Sequence, residues 1–278
     1  MEKITPGIAV TVAPSIVRIT APNPGVMTGP GTNSYIVGES ELVLVDPGPE
    51  IESHVSLLTD TVRGRLKWIV CTHTHLDHSP AARHVKAATG ARIAGRVAEQ
   101  DGRQDTTFQP DRVLEDGDTI SVEGVTLRAL RTPGHASNHV CYLYEQQQLL
   151  FTGDHIMQGS TVVISPPDGD MQAYFASLDK VLAVELQTLA PGHGRFITTP
   201  HDEVRRLIAH RLKREQKVFD ALVQKRTATI EELVPLAYDD VSEKLHPVAR
   251  RSLHGHLIKL TREGRVRESE GTWHLASR

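Results

Sequence analysis

The chain has 278 residues, of which 39% are hydrophobic and 23% are charged, with a formal net charge of −3. These proportions are ordinary for globular proteins, so they exclude a disordered or fibrous chain. There is no run of about 20 apolar residues, and residues 1–6 lack the pattern of a signal peptide, so we expect a cytoplasmic protein without a membrane span. A chain of this length predicts a main domain of roughly 200 residues with a smaller second domain.

Charge is distributed unevenly along the chain. Residues 201–278 hold 16 Lys and Arg against 12 Asp and Glu, which leaves 15 against 22 in residues 1–200. Short β-rich runs and Gly/Pro turns also give way to long helical patterns near residue 200. We therefore predict a domain boundary there, with an acidic domain over 1–200 and a basic helical domain over 201–278.

Within 1–200, β-rich runs alternate with helical patterns. Strands are predicted over 12–20 and 33–46, a helix over 52–62, and a strand over 67–72 that stops where a group of histidines begins. Further strands are predicted over 125–131, 140–144, 148–152 and 186–190. Four of these runs, 67–72, 125–131, 148–152 and 186–190, are followed within four residues by a His or Asp, which places such side chains on loops at strand ends.

The C-terminal part has the element order of a winged helix. Apolar residues spaced by three or four predict a basic helix, and two more helices are predicted over 229–236 and 247–261. A short hairpin is predicted over 265–275, with Gly264 and Gly271 at its turns. Helix, helix and hairpin in this order form a variant of the helix-turn-helix.

Two cysteines, Cys71 and Cys141, lie in apolar segments. They are too few for the dense disulfide framework of a small secreted protein, so we expect two buried thiols.

Residues 73–78 pack four potential metal ligands into six positions: His73, His75, Asp77 and His78. Imidazole and carboxylate groups are the ligands that Zn²⁺ takes at catalytic sites. His73 and His75 alternate along the chain, so they can point the same way, and His135 would complete a site of three histidines.

A second ion would be held by Asp77, His78 and His193. Asp154 is suited to bridge the two ions, because a carboxylate offers two oxygens. His135, Asp154 and His193 each follow a β-rich run and adjoin glycine, a context that other histidines lack. We expect His84, His139 and His155 not to be ligands, and the remaining histidines to be structural or solvated: His54, His201, His210, His246, His254, His256 and His274.

The arrangement resembles the metallo-β-lactamase superfamily, whose HxHxDH motif stands here as residues 73–78, followed by His135, Asp154 and His193. This resemblance implies an α/β fold, a four-layer αββα sandwich, and a metal-dependent hydrolase that uses a hydroxide bridging two ions. The ions would be zinc, with manganese or iron as alternatives that the same ligands accept. As the catalytic residue, Asp77 would orient the hydroxide or take its proton.

Residues 23–25 and 31–35, together with the tail after Leu212, resemble the β-lactamase-like protein 2 group, whose animal member cleaves single-stranded RNA. That likeness favours a phosphodiesterase or endoribonuclease. Thioesterases of the hydroxyacylglutathione hydrolase type and lactonases share the same ligand set, so hydrolysis of a small acyl thioester or ester is the alternative. A third possibility is a regulatory module whose winged helix binds nucleic acid.

The basic tail has two interpretations. Its cations could contact phosphates, or they could simply form a solvated helix face: Arg205, Arg206, Arg211, Lys213, Arg214 and Lys217. The winged helix adds Arg250, Arg251 and Lys259, and it could equally form a lid or a homodimer contact. Aromatic residues make up only 4% of the chain, which disfavours a stacking platform for single strands. The loops 29–33 and 165–170 are expected to be turns or to border the pocket.

Overall fold

A computed structural model describes residues 4–99 and 101–276. The chain forms two compact units. The first comprises Met1–Thr132, Asn138–Ser160 and Val184–Pro200, and the second comprises Pro133–Ser137, Thr161–Ala183 and His201–Arg278. These units differ from the predicted domains because residues 133–137 and 161–183 group with the C-terminal helices. The division into domains 1–200 and 201–278 stays a prediction.

The first unit contains a seven-stranded sheet in the order β1 to β7. Its strands are β1 Ala9–Ala13, β2 Ile16–Thr20, β3 Asn33–Gly38, β4 Leu42–Val45, β5 Leu66–Val70, β6 Arg92–Gly95 and β7 Arg112–Val113. Pairing is antiparallel from β1 to β4 and parallel from β4 to β7. The sheet is therefore mixed.

The same unit contains a five-stranded sheet in the order β12-β11-β10-β9-β8. Its strands are β8 Thr119–Val122, β9 Val125–Arg131, β10 Val140–Tyr144, β11 Leu149–Gly153 and β12 Thr188–Pro191, with a short 3₁₀ helix at Glu145–Gln147. Only the β11–β12 pair is parallel among these neighbours.

The two sheets pack face to face. Tyr35 and Val70 of the first sheet share a buried cluster with Leu127 and Phe151 of the second. The opposite face of the first sheet is covered by two helices, α1 Glu52–Val62 and α2 Ala82–Thr89. Strands that are buried on both faces explain the continuous apolar runs in the sequence.

The second unit is mainly helical. Its helices are α3 Met171–Leu182, α4 Pro200–Lys225, α5 Ile230–Ala237 and α6 His246–Arg262, with a 3₁₀ helix at Glu243–Leu245. A three-stranded sheet combines β13 Thr227–Ala228 with the hairpin β14 Val266–Ser269 and β15 Thr272–Leu275. Helix α5 begins with a capping box between Thr229 and Glu232. The predicted helix–helix–hairpin order is present.

Some predicted elements needed correction. The single strands predicted over 12–20 and 33–46 are each two strands, because the chain reverses at Ser15, with a φ of 54°, and after Gly38, with a φ of 118°. A Cβ on Gly38 would lie 2.2 Å from the carbonyl oxygen of Glu41, so the turn requires glycine. The helices α2 and α3 and the strands β6 to β8 were not predicted.

Cys71 and Cys141 are both buried, and no disulfide bond links them. Within the described residues, the helices are all too short or too polar to cross a lipid bilayer.

Candidate metal centre

Three loops of the first unit bring predicted ligands together. Residues 73–78 follow β5, Asp154 follows β11, and His193 follows β12. Two groups of ligand atoms form, each with all atoms within 4.8 Å of one another: His73, His78 and Asp154, and then Asp77, His78 and His193. Because His78 belongs to both groups, the two positions adjoin each other.

Carboxylates and imidazoles alternate around this cluster. The Nε2 atom of His193 lies 3.3 Å from both Asp77 Oδ2 and Asp154 Oδ1. The Nε2 atom of His78 lies 3.5 Å and 3.4 Å from the same two oxygens. Such an arrangement of nitrogen and oxygen donors suits a borderline dication.

The pKa values of these four side chains reflect the concentrated charge. Burial lowers the pKa of His193, but Asp154 and Asp77 outweigh this effect and raise it to about 10. Burial also opposes ionisation of His78, whose pKa Asp77 and Asp154 nevertheless raise well above the usual range. For Asp77 and Asp154, burial is outweighed by the two imidazoles, which lower the pKa of each carboxyl. The carboxylates thus attract positive charge, which protons or metal ions can supply.

A buried carboxylate that the sequence analysis missed orients two of the histidines. Asp46 accepts hydrogen bonds from the backbone N–H of Thr72, at 2.6 Å, and from its hydroxyl, at 2.7 Å. Its Oδ2 also lies 2.9 Å from His78 Nδ1. Since the carboxylate can only accept, His78 donates from Nδ1. Its Nε2 atom, which faces Asp77 and Asp154, is therefore the atom that can release its proton and bind a metal ion.

The same network reaches His73. The Thr72 hydroxyl donates to Asp46, so it accepts from His73 Nδ1, which lies 3.0 Å away. His73 therefore carries its proton on Nδ1, and Nε2 is the atom able to bind a metal. Asp46 was predicted only as the last residue of the strand over 33–46. Its position directly after a β-rich run, like the predicted ligands, was the signal available.

The loop carrying His193 is held against strand β3. The Asn33 side-chain amide donates to the carbonyls of Pro191 and Gly194, at 3.1 Å and 2.9 Å. His193 Nδ1 lies 3.3 Å from the Gly31 carbonyl, which leaves Nε2 facing the two carboxylates.

Gly192 allows this loop to approach the cluster. A Cβ at this position would lie 2.7 Å from His78 Cε1 and 2.9 Å from Asp154 Oδ1. Any larger residue would therefore displace two of the predicted ligands.

The predicted rim loop 29–33 contacts Asp77. The hydroxyl of Thr32 donates to Asp77 Oδ2 at 3.2 Å and accepts from the Asn23 amide at 3.0 Å. Asp77 is the more accessible of the two carboxylates, with its side chain 28% exposed against 13% for Asp154. This carboxylate can therefore meet both the buried histidines and a solvent-borne substrate.

The remaining two predicted ligands are His75 and His135. His75 is half-buried in the first unit, with its ring centroid 4.6 Å from that of His73. His135 belongs to the second unit, where its Nδ1 atom lies 2.8 Å from the Val163 carbonyl oxygen.

Three histidines expected not to be ligands occur in none of the ligand groups found among the described residues. His139 is buried, with Nδ1 2.9 Å from the Thr132 hydroxyl and its ring 5.1 Å from that of His73. His155 is also buried, and the half-exposed His84 pairs with Glu50 at 2.9 Å. They border the cluster or lie on the surface.

Comparison with known proteins assigns the family. Residues 27–193 match the metallo-beta-lactamase superfamily. The chain belongs to this superfamily. Residues 229–273 match the beta-lactamase associated winged helix domain. The chain is thus a metallo-β-lactamase superfamily hydrolase with the predicted sandwich fold and C-terminal winged helix.

Three relatives span most of the chain. A beta-lactamase-like protein 2 homolog of Drosophila melanogaster is 31% identical over 92% of this chain and 91% of the relative. An atrochrysone carboxyl ACP thioesterase of Aspergillus fumigatus is 31% identical over 78% of this chain and 69% of the length of that relative. A crystal structure of a metallo-beta-lactamase family protein from Thermus thermophilus superposes with a TM-score of 0.79 and 20% identity, covering 95% of this chain and all of that one. The last likeness shows the fold alone.

Proposed function

We propose that the protein is a dinuclear metal-dependent hydrolase that cleaves a small acyl thioester. In this proposal, His73, His75 and His135 hold one ion, Asp77, His78 and His193 hold the other, and Asp154 lies between them. Zinc is the expected metal, with manganese or iron as alternatives. The observation that supports it most is the arrangement of His78 and His193. Their Nε2 atoms face the carboxylates at the centre of the cluster. Their Nδ1 atoms face Asp46 and the Gly31 carbonyl, which orient the two rings.

Ions held by such ligands supply a water of lowered pKa and polarise a carbonyl group. The chain's own contribution is proton handling and orientation. Asp77 Oδ2, which the Thr32 hydroxyl holds at 3.2 Å, is placed to accept the proton of an attacking water. Asp46, the Gly31 carbonyl and the Thr72 hydroxyl keep three imidazoles in the tautomer that exposes Nε2.

Two considerations favour a thioester over RNA. First, a relative that is 31% identical bears the name of an acyl carrier protein thioesterase. Second, many cations of the C-terminal tail are already neutralised within the second unit. Arg214 pairs with Asp240 at 2.8 Å, Lys217 with Asp239 at 2.5 Å, and Lys259 with Glu215 at 2.8 Å. Cations that are committed to carboxylates contribute little to phosphate binding.

Single-stranded RNA remains the second candidate substrate. The resemblance to the β-lactamase-like protein 2 group favours it, and the relative from Drosophila matches over nearly the whole chain. The ligand set does not distinguish a phosphodiester from a thioester, so only a substrate comparison separates them. A cytoplasmic location and a homodimer stay predictions.

The test compares metal-loaded wild-type protein with Asp77→Ala on a panel of acyl-CoA, acyl-pantetheine, acyl-glutathione, lactone and unstructured RNA substrates. We expect hydrolysis of a thioester that the variant loses. Asp60→Ala, which changes an exposed carboxylate on α1 of the same unit, is the matched control. Equal rates in wild type and Asp77→Ala would contradict the proposal, and activity on RNA alone would establish the second candidate. Metal analysis of the active protein identifies the ions and their number.

A further inference from the structure

The turn that carries His135 is part of the second unit and is fixed by contacts within it. The Gly134 carbonyl accepts from the Asp170 backbone N–H at 2.8 Å, and the Pro133 carbonyl accepts from the Ser177 hydroxyl at 2.8 Å. A Cβ on Gly134, whose φ is 146°, would lie 2.4 Å from Tyr174 Cα. The turn therefore lies directly on the first turns of α3, which fixes its backbone.

The imidazole of His135 is oriented separately, by the segment 162–164. His135 Nδ1 lies 2.8 Å from the Val163 carbonyl oxygen, which can only accept. His135 must therefore donate from Nδ1, and Nε2 carries the lone pair. The direction of this ring depends on the direction of one backbone carbonyl.

Residues on both sides of Val163 are bound by C-terminal helices. The Arg211 guanidinium of α4 donates to the carbonyl of Val162, and the Ile164 N–H donates to the Ser252 hydroxyl of α6 at 3.3 Å. Val162, Ile164, Arg211 and Ser252 are all buried. The Val163 carbonyl and the Ile164 N–H belong to one planar peptide group, so this carbonyl cannot turn away from His135 without breaking the bond to Ser252. Arg211 restrains the preceding peptide group.

We propose that Arg211 and Ser252 are positioning residues for the metal ligand His135, acting through the Val163 carbonyl. This inference rests on the proposed function, in which His135 is a ligand. It assigns the winged-helix end of the chain a role in metal binding, and it removes Arg211 from the cations available to a nucleic acid.

The environment of Arg211 favours positioning over simple stabilisation. Only 3% of the residue is exposed, and its Nε atom is buried without a hydrogen-bond partner among the described residues. Its guanidinium lies 5.3 Å from the Tyr174 ring. Burying a cation for one carbonyl bond is costly, and an apolar side chain of similar size would often stabilise a core at least as well. The proposal explains this cost, because Arg211 restrains the segment whose Val163 carbonyl orients His135.

The experiment titrates the metal-free full-length protein with Co²⁺, followed by competition with Zn²⁺ against a chelator. The visible spectrum of bound Co²⁺ reports the geometry of each ion. The variants are Arg211→Met, Arg211→Lys, Ser252→Ala and His135→Ala. Arg205→Met is the matched control, because Arg205 lies exposed on the same helix and pairs only one turn away with Asp202 at 3.2 Å.

We expect Arg211→Met to lower the affinity for one of the two bound metal ions by about 10- to 100-fold, the range found when a hydrogen-bond partner of a metal ligand is lost. The other equivalent should keep its affinity. His135→Ala should weaken the same equivalent more strongly and change the same Co²⁺ bands. Ser252→Ala should act in the same direction but less, Arg211→Lys should restore part of the loss, and Arg205→Met should match the wild type.

The outcomes separate this inference from the proposed function. If His135→Ala weakens one equivalent while Arg211→Met and Ser252→Ala bind both ions normally, the inference is wrong and the ligand assignment stands. If His135→Ala leaves both equivalents unchanged, the ligand assignment itself fails. Equal weakening of both ions by Arg211→Met would indicate general destabilisation and would overturn the inference. Should Arg211→Met fail to fold, Ser252→Ala decides, since it removes a single hydroxyl.

Discussion

The carboxylates at the candidate metal centre of the first unit have different partners from the carboxylates of the second unit. In the first unit, Asp77 and Asp154 face imidazoles, and so does the buried Asp46. In the second unit, Glu215 contacts His256 at 3.2 Å but also the permanent cation of Lys259 at 2.8 Å, and Asp170 pairs with the permanent cation of Arg262 at 2.5 Å. An imidazole can exchange its proton for a metal ion, whereas a guanidinium or ammonium group cannot.

This difference between the two sets of carboxylates is in line with the uneven charge of the sequence. Residues 1–200 carry the acidic excess, and part of that excess is concentrated at a site where a dication can offset it. The tail is basic by count, but about half of its 16 cations pair with carboxylates. We therefore expect that changes to the buried carboxylates of the first unit weaken metal binding, and that changes to exposed ion pairs of the second unit have little effect beyond their own vicinity.

The largest effect is expected from Asp154→Asn. The amide keeps the size of the side chain but loses the negative charge shared by His78 and His193. Loss of an outer partner of a ligand costs about 10- to 100-fold in metal affinity or activity, so loss of a ligand should exceed about 100-fold. Steady-state hydrolysis and metal content measure both effects. A variant that retains full metal content and activity would show that the carboxylate is not a ligand.

Asp46→Asn should have the next largest effect, about 10- to 100-fold on metal affinity. Asn keeps one oxygen for the Thr72 N–H, but the new amide N–H₂ would face the donors of Thr72 and His78. His78 would then have to donate from Nε2 instead, and that atom could no longer bind a metal. Metal titration by calorimetry measures the loss.

Thr59→Ala, a change on the outer helix α1 where the hydroxyl bonds only to its own helix, provides the control for Asp46→Asn. Normal metal affinity in Asp46→Asn, with the fold retained, would contradict the orienting role.

Much of this first unit was accessible from the sequence, because ligands follow apolar runs that end in glycine-rich turns. The helix α1 and the strand β9 have the predicted bounds. Asp46 was missed because its role arises from proximity to Thr72 and His78, which are 26 and 32 residues away. Similarly, no local pattern shows that residues 133–137 pack with helices more than 30 residues later, since that grouping depends on tertiary contacts such as Asp170 N–H to Gly134.

A moderate effect is expected from pH. The pKa of His193 in the folded, metal-free protein is about 10, above its usual 6.5. The stabilisation from its protonated form is therefore complete below pH 6.5 and is lost as the pH rises through about 10. The melting temperature of metal-free protein should fall over this range, and metal affinity should rise by about tenfold per pH unit for each proton displaced.

Thermal melting and chelator-buffered titrations at pH 7, 8 and 9 measure these two trends. His193→Gln should give a shallower dependence, because it removes one titrating group. Metal affinity that is independent of pH between 7 and 9 would show that no proton leaves the site when metal binds.

The smallest effect is expected from Arg250→Ala in the winged helix. Arg250 pairs with Glu231 at 2.6 Å, and both side chains are more than half exposed, so the pair contributes less than about 1 kcal/mol to the free energy of unfolding. Thioester hydrolysis should change by less than about twofold, since an exposed pair of this kind has little influence beyond its own vicinity. If RNA were the substrate and Arg250 bound a phosphate, the variant would weaken RNA binding and reduce the salt dependence of that binding by about one counterion. Measuring RNA affinity at several salt concentrations for the wild type and Arg250→Ala therefore decides whether this cation is available to a partner or engaged within its own unit.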